Sequence, residues 1–451
     1  MLPILALTIC VVLIFVLLYI ERMRNPEGSV ALWVPTFWML LCGSKPIGRW
    51  LAINNWSLET SPEVGSPYDR LVLTILIILG VFVIYRRKIE WSMILKANFW
   101  LILLLLYLGI SILWSDFAFV SFKRWFRLVG AFPMAMVILS ERSPLKSMES
   151  VLRRCAYVLI PLSIVLIKYF PAYGVQYTYW EGTKMWVGVS SQKNSFGVVC
   201  SISAFLIFWT FLREWRTRSF LKSKSQTFAE GLVFGLSVYL LLGFRGVYPA
   251  TAIGILISGI AALIILFNMK KNQRKVARFS VLMVVVGLLL LNYSQSFVSL
   301  ATSSFNRDAS FTGRDEIWRL VLEEASKKPL LGYGYGAYWG LQDEKIYSKV
   351  LVRESHSGYL DVYLQGGIVG IVLLFAFLFA YCRKALNKFI DSPDWGLFGI
   401  CMLIMTLIHN YTESDFIQTT SYFWNLTVFL TIVFTKPCWY KYKYIVVGSK
   451  K

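Results

Sequence analysis

The residues best suited to chemistry lie in one long polar stretch, residues 292–360, of an otherwise apolar chain. Arg314 falls in the first turn of a predicted helix, where free backbone amides and a guanidinium together can hold a phosphate group. The alternative is a local ion pair with Asp315 or Glu316, of the kind that exposed charges readily form. The sequence alone leaves these two roles for Arg314 equally open.

His356 is the second candidate, and the chain has only one other histidine, His409. The segment from Glu354 to Asp361 opens a predicted apolar helix with Ser355 as its cap. Because the amides of a first helical turn disfavour a positive charge, we predict a neutral imidazole that can accept a proton. A histidine that only anchors the segment through hydrogen bonds is the alternative.

An amphipathic helix is predicted between Thr312 and Pro329, with Thr312 and Asp315 as a capping box and Pro329 at its end. Its apolar face consists of Ile317, Leu320, Val321 and Ala325. A helix with one apolar face in this position should lie on the outer side of the membrane spans.

A glycine-rich segment, 329–340, follows and is predicted to be neither helix nor strand. Its glycines are Gly332, Gly334, Gly336 and Gly340, which permit close approach of the backbone. Tyr333 and Tyr335 offer flat faces on which sugar rings stack, so both are candidate substrate-binding residues. A tight interfacial turn with aromatic residues of the membrane belt is the alternative.

The elements that must position these residues are membrane helices. Hydrophobic residues make up 57% of the 451 residues and charged residues only 16%, far from the soluble norm. Many apolar runs approach the roughly 20 residues that a helix needs to cross a bilayer, and helices are the only spanning solution for such runs. The chain is therefore predicted to be an all-α polytopic membrane protein with about 12–13 transmembrane helices.

The candidate spans lie near residues 2–20, 29–43, 69–85, 97–115, 126–140, 152–169, 194–212, 229–244, 248–268, 279–295, 361–381, 395–410 and 418–435. The first is interpreted as a retained span, because it lacks the basic segment and the small-residue cleavage site of a signal peptide. Basic clusters occur at every second connection, as the positive-inside rule requires of cytoplasmic loops. We therefore expect a single polytopic domain, 1–451, whose large loop 296–360 faces the outside.

Several cations fall on the predicted outer side, where the positive-inside rule expects few. The cytoplasmic clusters explain most of the net charge of +21, whereas the outer cations indicate an anionic ligand at the outer leaflet rather than nucleic acid. The candidates for binding this ligand are Arg124, Arg127, Lys193, Asn194 and Arg245. Arg245 lies in a tight connection between two spans, with Glu413 or backbone carbonyls as its expected partner.

No metal or other cofactor is expected. All seven cysteines fall within spans or at cytoplasmic ends, so a disulfide framework is not predicted. No Cys/His cluster has the spacing of metal ligands, and no Asp-x-Asp pair occurs on the outer side. Catalysis is therefore predicted to be independent of metal ions.

Five groups of residues, spread over about residues 30–430, carry a family resemblance. They are Trp114-Ser-Asp116 with Lys123-Arg124; Gln192-Lys-Asn-Ser-Phe-Gly197; Thr312-Gly-Arg-Asp-Glu-Ile-Trp318 followed by Pro329-Leu-Leu-Gly-Tyr-Gly334; His356-Ser-Gly-Tyr-Leu-Asp361 running into Gly366-Gly-Ile-Val-Gly370; and Tyr411-Thr-Glu-Ser414. Together they resemble the O-antigen ligase and polymerase superfamily, and within it the exopolysaccharide polymerases of the ExoQ type. The chain departs from the family pattern at Ser357, where the family usually has Asn.

The resemblance implies a metal-independent, GT-C-like glycosyltransferase, multi-pass in a bacterial inner membrane, with its active site facing the periplasm. The implied donor is an undecaprenyl-pyrophosphate-linked oligosaccharide and the acceptor a glycan or glycolipid; membrane lipids and polysaccharide assembly or chain-length proteins are further expected partners. By position, Arg245 and Arg314 would clamp the pyrophosphate, and His356 would deprotonate the acceptor hydroxyl. The predicted substrate-binding residues are Arg124, Arg127, Lys193, Asn194, Tyr333, Tyr335, Tyr359 and Glu413.

Polymerisation of exopolysaccharide or O-antigen repeat units is the predicted function, because the ExoQ-type resemblance favours a polymerase. An O-antigen ligase acting on lipid A-core would differ only in its acceptor. A lipid-linked oligosaccharide flippase or polysaccharide exporter would instead need polar binding sites on the cytoplasmic half of the protein. It would not need a general base at the outer end of a membrane helix. We further expect Arg245 and Arg314 to approach each other, with His356 beside them.

Overall fold

A computed structural model describes residues 1–51, 66–87, 89–177, 182–217, 224–244, 247–269, 314–350 and 354–435, which are mainly helical. The first helices are α1 (Leu2–Arg24), α2 (Trp33–Gly43, after a 3-10 turn at Val30–Leu32), α3 (Ile47–Leu51), α4 (Pro67–Tyr85), α5 (Trp91–Ala97), α6 (Phe99–Ile110, continued by a 3-10 turn at Ser111–Trp114), α7 (Ala118–Val129), α8 (Ala131–Leu139), α9 (Pro144–Tyr169) and α10 (Pro171–Gly174). A short antiparallel hairpin, β1 (Val175–Tyr177) and β2 (Lys184–Trp186), follows. The remaining helices are α11 (Lys193–Thr217), α12 (Lys224–Leu242), α13 (Ala250–Met269), α14 (Arg314–Ala325), α15 (Glu344–Val350), α16 (Gly358–Asp391), α17 (Pro393–Thr412) and α18 (Tyr422–Val433).

Eight of the described helices are long and apolar enough to cross a bilayer. A ninth span results if α5 and the segment Phe99–Trp114, bent by 84° relative to each other, are counted together. Two shorter apolar helices, Val30–Gly43 and Tyr422–Val433, match the spans predicted near 29–43 and 418–435. The all-α polytopic membrane fold is thereby confirmed, while the span predicted near 279–295 lies outside the described residues.

The bundle has a clear centre and edge. In both α9 and α17, 83% of the most apolar stretch is buried inside the protein, whereas only 11% is buried in α1. α17 packs between α13 and α16, and α9 packs against α1 and α2. The exposed apolar side chains of α1, such as Ile9 and Phe15, suit a helix that faces lipid.

Buried ion pairs join the helices at one end of the bundle. Arg153 on α9 donates to Glu149 of the same helix at 2.6 Å and to Glu230 of α12 at 3.0 Å. Arg213, near the end of α11, donates to Glu149 at 2.8 Å. Asn194 lies 19 residues earlier on α11 (213 − 194), about 28 Å along the axis at about 1.5 Å per residue. The start of α11 therefore belongs to the opposite end of the bundle.

The predicted amphipathic helix is present as α14, which begins at Arg314 and ends at Ala325. Its apolar face is buried as expected and consists of Ile317, Leu320, Val321 and Ala325. This face packs against α16, the next long apolar helix along the chain. The helix ends four residues before the predicted end at Pro329 (329 − 325), and Thr312 of the predicted capping box lies outside the described residues.

The glycine-rich segment 329–340 forms turns, as predicted, and docks on a break in α16. Gly367 has a φ of +60° within α16. Near this break the Leu364 carbonyl accepts a hydrogen bond from Tyr333 N at 3.0 Å. A Cβ on Gly367 would lie 2.3 Å from the backbone of the docked segment, so both the conformation and the close approach require glycine.

Candidate active site

Glu413 lies at the centre of the candidate site, immediately after the end of α17. Its Oε1 accepts a hydrogen bond from Arg314 Nη2 at 2.8 Å and another from Asn194 Nδ2 at 2.7 Å. The residue is only 6% exposed, so this ion pair is largely shielded from water and salt. Arg314 therefore pairs with a distant carboxylate and not with Asp315 or Glu316.

His356 lies beside the same carboxylate. Its Nδ1 is 3.3 Å from Glu354 Oε1 and 3.6 Å from Glu413 Oε2. The predicted proximity of Arg314 and His356 is thus present in the structure, because one oxygen of Glu413 contacts the guanidinium and the other faces the imidazole.

The loop that carries His356 is held on both sides. His356 has a φ of +51°, an uncommon conformation for a residue other than glycine. Before it, Ser355 O accepts a hydrogen bond from Trp318 Nε1 at 2.9 Å. After it, Gly358 N donates to Glu413 O at 2.9 Å. These contacts tie the loop to α14 and to the end of α17, which fixes the position of the imidazole.

The prediction that Ser355 caps the following helix is wrong. α16 begins at Gly358 with Ser357 at the N-cap, and Ser355 Oγ accepts a hydrogen bond from Ser357 N at 3.1 Å instead. A Cβ on Gly358 would lie 2.1 Å from Asn410 Oδ1. The start of α16 is therefore set by close packing on α17 at a glycine and not by a serine cap.

Burial and neighbouring charges shift the pKa values of His356, Glu354 and Glu413. Burial lowers the pKa of His356, but the carboxylates of Glu413 and Glu354 outweigh burial and raise it above its ordinary value. Burial raises the pKa of Glu354 to about 7. Burial would also raise the pKa of Glu413, but His356 and Arg314 bring it down to about 2. The predicted preference for a neutral His356 is therefore wrong in direction, because two acidic side chains contact the ring.

The arrangement joins an anion-binding group to a group that can take up a proton. A guanidinium has five N–H donors, and Nη2 of Arg314 is the nitrogen that meets Glu413, which leaves donors for an anion. The side chains of Arg314 and His356 are 15% and 21% exposed, so a ligand can reach both. This pairing suits a group transfer in which an anionic leaving group departs as a hydroxyl loses its proton.

A cavity of about 330 Å³ lies against Glu354 and Glu413, the two carboxylates that contact His356. Arg124 and Asn194, both predicted substrate-binding residues, are part of its wall. Arg124 Nη1 also donates to Gly336 O at 2.5 Å and therefore fastens the glycine-rich segment. The volume is near the lower end of the range of about 300–1,000 Å³ that is usual for ligand cavities.

Three tyrosines predicted to bind substrate, Tyr333, Tyr335 and Tyr359, are buried. Tyr335 Oη donates to Ile417 O at 2.8 Å, and Tyr359 Oη donates to Leu407 O at 3.2 Å. The structure packs their rings in the protein interior, away from a ligand surface. Their role in binding a substrate stays a prediction.

Lys193 and Arg127 lie at the same end of the bundle as Glu413. Lys193 is the first residue of α11 and directly precedes Asn194. Arg127, on α7, lines a second and larger cavity that borders the first. The structure thus places Arg314, His356 and Asn194 around the Glu413 carboxylate. Arg127 lines the neighbouring, larger cavity instead.

Arg245, the third predicted catalytic residue, lies outside the described residues, and so does its expected approach to Arg314. The helix that follows it, α13, can be placed. Thr412 Oγ1 donates to Thr251 Oγ1 of α13 at 3.4 Å. Because Thr412 directly precedes Glu413, the start of α13 lies on the same side of the bundle as the candidate site.

Sequence reasoning did not assign site roles to Glu354, His409 or Asp415, which all line the small cavity. His409 Nδ1 lies 2.5 Å from Asp415 Oδ2. Each of the two acidic residues is two positions from a predicted site residue, Glu354 from His356 and Asp415 from Glu413. An acidic residue close in sequence to a predicted site residue was therefore the signal by which Glu354 and Asp415 could have been found.

Residues 231–375 match a family model described as O-Antigen ligase. This segment of the chain is therefore similar to O-antigen ligases. The matched segment contains all three residues predicted to be catalytic, Arg245, Arg314 and His356. Asn194 and Glu413 lie outside it, so the carboxylate that organises the described site comes from a part of the chain that this comparison does not cover.

A curated relative supports the same relationship. Over 130 residues the chain is 27% identical to "Exopolysaccharide production protein ExoQ" of Rhizobium meliloti (strain 1021). The match covers 26% of this chain and 29% of that protein, so the chain spans about three tenths of the length of the relative it matches. The predicted resemblance to O-antigen ligase-related and ExoQ-type proteins is confirmed by these two comparisons.

Proposed function

We propose that the chain is a membrane glycosyltransferase that polymerises exopolysaccharide or O-antigen repeat units. It moves a glycan from undecaprenyl pyrophosphate to a sugar acceptor at the periplasmic face of a bacterial inner membrane, with inversion and without a metal ion. One observation supports this proposal most strongly. In an O-antigen ligase-related chain, the Glu413 carboxylate pairs with Arg314 and faces His356.

In the proposed reaction an acceptor hydroxyl attacks the anomeric carbon of the donor sugar while the bond from that carbon to the diphosphate oxygen breaks. His356 takes the hydroxyl proton, and the electron pair of the broken bond leaves on the polyprenyl diphosphate. Arg314 and Arg245 stabilise the negative charge that develops on this leaving group. Glu413 positions Arg314 and His356 and stabilises the imidazolium that forms.

A polymerase is favoured over a ligase by the similarity to an exopolysaccharide production protein. Its acceptor would be a second lipid-linked glycan, whereas a ligase would use the same groups to transfer the glycan to lipid A-core. Proteins that assemble the polysaccharide and control its chain length are the partners we propose for it in the membrane.

The function can be tested in cells that lack the chain. We expect lipid-linked single repeats to accumulate on the outer leaflet and long polymer to be absent, because translocation precedes the missing transfer step. The measurement is labelling of the repeats in intact spheroplasts with a reagent that cannot cross the membrane. Repeats that remain on the inner leaflet would instead assign the chain to lipid-linked oligosaccharide export and overturn the transferase function.

Glu354→Gln should shift the acid side of the pH–rate profile to lower pH. The imidazolium of His356 is present below its raised pKa and is lost as the pH rises through that value. Removing the Glu354 carboxylate lowers this pKa, so the neutral base persists to lower pH. The measurement is kcat/KM for transfer over about pH 5 to 9, the range in which a histidine titrates.

The matched control for this shift is Glu344→Gln, which removes an exposed carboxylate from α15 and should leave the profile unchanged. An acid limb that stays in place, or moves to higher pH, in Glu354→Gln would contradict the proposed coupling to His356. Loss of transfer at every pH would identify Glu354 itself as the base.

A further inference from the structure

A second cavity, of about 1110 Å³, lies at the same end of the bundle as Glu413. Its walls come from the end of α2, the starts of α4, α11 and α18, and the chain between α17 and α18. The residues that line both this cavity and the smaller one beside Glu413 are Gln192, Ser195, Asp415, Thr420 and Ser421. The two cavities therefore share a wall, and a ligand in the larger one would lie next to the candidate active site.

Asp415, in the shared wall, is held in place by two contacts. Its backbone N donates to Asn410 Oδ1 at 3.0 Å, and its Oδ2 lies 2.5 Å from His409 Nδ1. Gln192, Ser195 and Thr420, in contrast, are exposed at the rim. The boundary between the cavities thus combines one anchored carboxylate with polar side chains that a ligand can contact.

Hydroxyl and amide groups line one part of the larger cavity, and the rest of its lining is mainly apolar. Ser191, Gln192 and Ser195 lie at the start of α11, and Thr419 faces them from the chain before α18. Trp38 and Tyr422 are buried behind this lining, and the Trp38 indole is held by a hydrogen bond from Nε1 to Asn425 Oδ1 at 2.7 Å. The hydroxyl and amide groups can donate hydrogen bonds to sugar hydroxyls and accept hydrogen bonds from them.

The charges that line the larger cavity do not favour a diphosphate. Among its described lining residues, Arg49 and Arg127 are offset by Asp69 and Asp415. Asp69 accepts a hydrogen bond from Ile47 N at 2.6 Å and so also fixes the start of α3. The anion-binding arginine of the candidate site, Arg314, lies elsewhere, on Glu413.

A lipid tail is a poor occupant for the polar part of this cavity. A hydrocarbon chain against Ser191, Gln192 and Thr419 would displace water without replacing its hydrogen bonds. Each polar group left without a partner destabilises the complex with a hydrocarbon chain. Sugar hydroxyls can replace these hydrogen bonds, so the polar part of the lining favours a saccharide over a polyprenyl chain.

On the basis of the transferase function proposed above, we propose that the larger cavity binds the acceptor saccharide and presents its reacting hydroxyl across the shared wall to the candidate active site. Arg127, predicted from the sequence to bind substrate, then contacts the acceptor and not the donor diphosphate. The smaller cavity beside Glu354 and Glu413 is left for the donor sugar.

Binding of a saccharide without its lipid tests this site directly. The probe is the oligosaccharide repeat released by mild acid from the polymer of the source strain, titrated calorimetrically into the full chain in lipid nanodiscs. Ser191→Trp fills the cavity with an indole and should weaken binding by at least about tenfold, which corresponds to about 1.4 kcal/mol. Thr419→Trp fills it from the facing wall, should have the same effect, and replaces Ser191→Trp if that protein does not assemble.

Two controls separate this site from the donor site. Glu344→Trp places the same indole on the exposed start of α15, which borders neither cavity, and should keep wild-type affinity. Saturating polyprenyl diphosphate should leave the affinity for the saccharide unchanged.

The binding measurements test the acceptor site without any glycan transfer taking place. Wild-type affinity in the two tryptophan variants, no binding by the wild-type chain, or displacement of the saccharide by polyprenyl diphosphate would each overturn the acceptor site. Loss of binding in both tryptophan variants alone supports it. Because no transfer step is measured, a failure of the transferase function in the cell assay and a failure of this site are distinguishable.

Discussion

Glycan transfer should fall by about 10²–10⁴-fold in His356→Ala, while lipid-linked single repeats still reach the outer leaflet. The substitution removes the imidazole whose Nδ1 lies between Glu354 and Glu413, and with it the group that takes up the proton of the acceptor hydroxyl. The backbone contacts of Ser355 and Gly358 on either side do not involve the imidazole and should hold the loop in place. The measurement is the length distribution of the polymer, together with the amount of outer-leaflet single repeat.

Chemical rescue makes this test sharper. Added imidazole should restore part of the transfer in His356→Ala, because a small base can occupy the space left by the side chain. The control Glu344→Ala removes an exposed side chain from the same outer stretch and should transfer at the wild-type rate. Long polymer at normal levels in His356→Ala would contradict its role as the base.

Arg314→Lys should reduce transfer by about 10²–10³-fold, the loss that follows removal of one preorganised charge-stabilising donor. Arg314 bonds Glu413 through Nη2 and keeps other donors for a diphosphate. A lysine ammonium can replace the ion pair with Glu413, but it cannot present a planar fork to two phosphate oxygens at the same time. The expected kinetic result is a lower kcat with the chain still folded in the membrane.

The same helix supplies a matched control. Arg319 on α14 is 67% exposed and lies 4.0 Å from Glu316, a contact that contributes little at such exposure. Arg319→Lys should therefore transfer at the wild-type rate. Equal activity of Arg314→Lys and Arg319→Lys would show that Arg314 only forms the ion pair with Glu413. It would contradict a role of Arg314 in stabilising the leaving diphosphate.

Much of the fold could be predicted because membrane helices are encoded locally. A run of about 20 apolar residues has few alternatives in a bilayer, so hydropathy alone located the spans that the structure describes. The apolar face of α14 and the turns of 329–340 were equally local, since side-chain periodicity and glycine content determine them. Arg314 and His356 stood out for the same reason, as rare residue types in a polar stretch.

The contacts of the site could not be predicted, because they join residues far apart in sequence. Glu413 was expected to pair with Arg245 or remain a general substrate-binding residue, whereas the structure pairs it with Arg314 and Asn194. The raised pKa of His356 follows from its contacts with the distant Glu413 and with the nearby Glu354, and the helix-end argument considers neither carboxylate. The burial of Tyr335 likewise depends on a carbonyl acceptor at residue 417.

The most direct test of the central claim is a reaction of the purified chain in lipid nanodiscs with a polyprenyl-diphosphate-linked repeat and no other protein. One free polyprenyl diphosphate should appear for each new glycosidic bond in the lengthened glycan, because each transfer breaks one bond to the diphosphate. Both products should be lost together in His356→Ala and in Arg314→Lys. Lengthened glycan formed by His356→Ala at the wild-type rate would contradict the account.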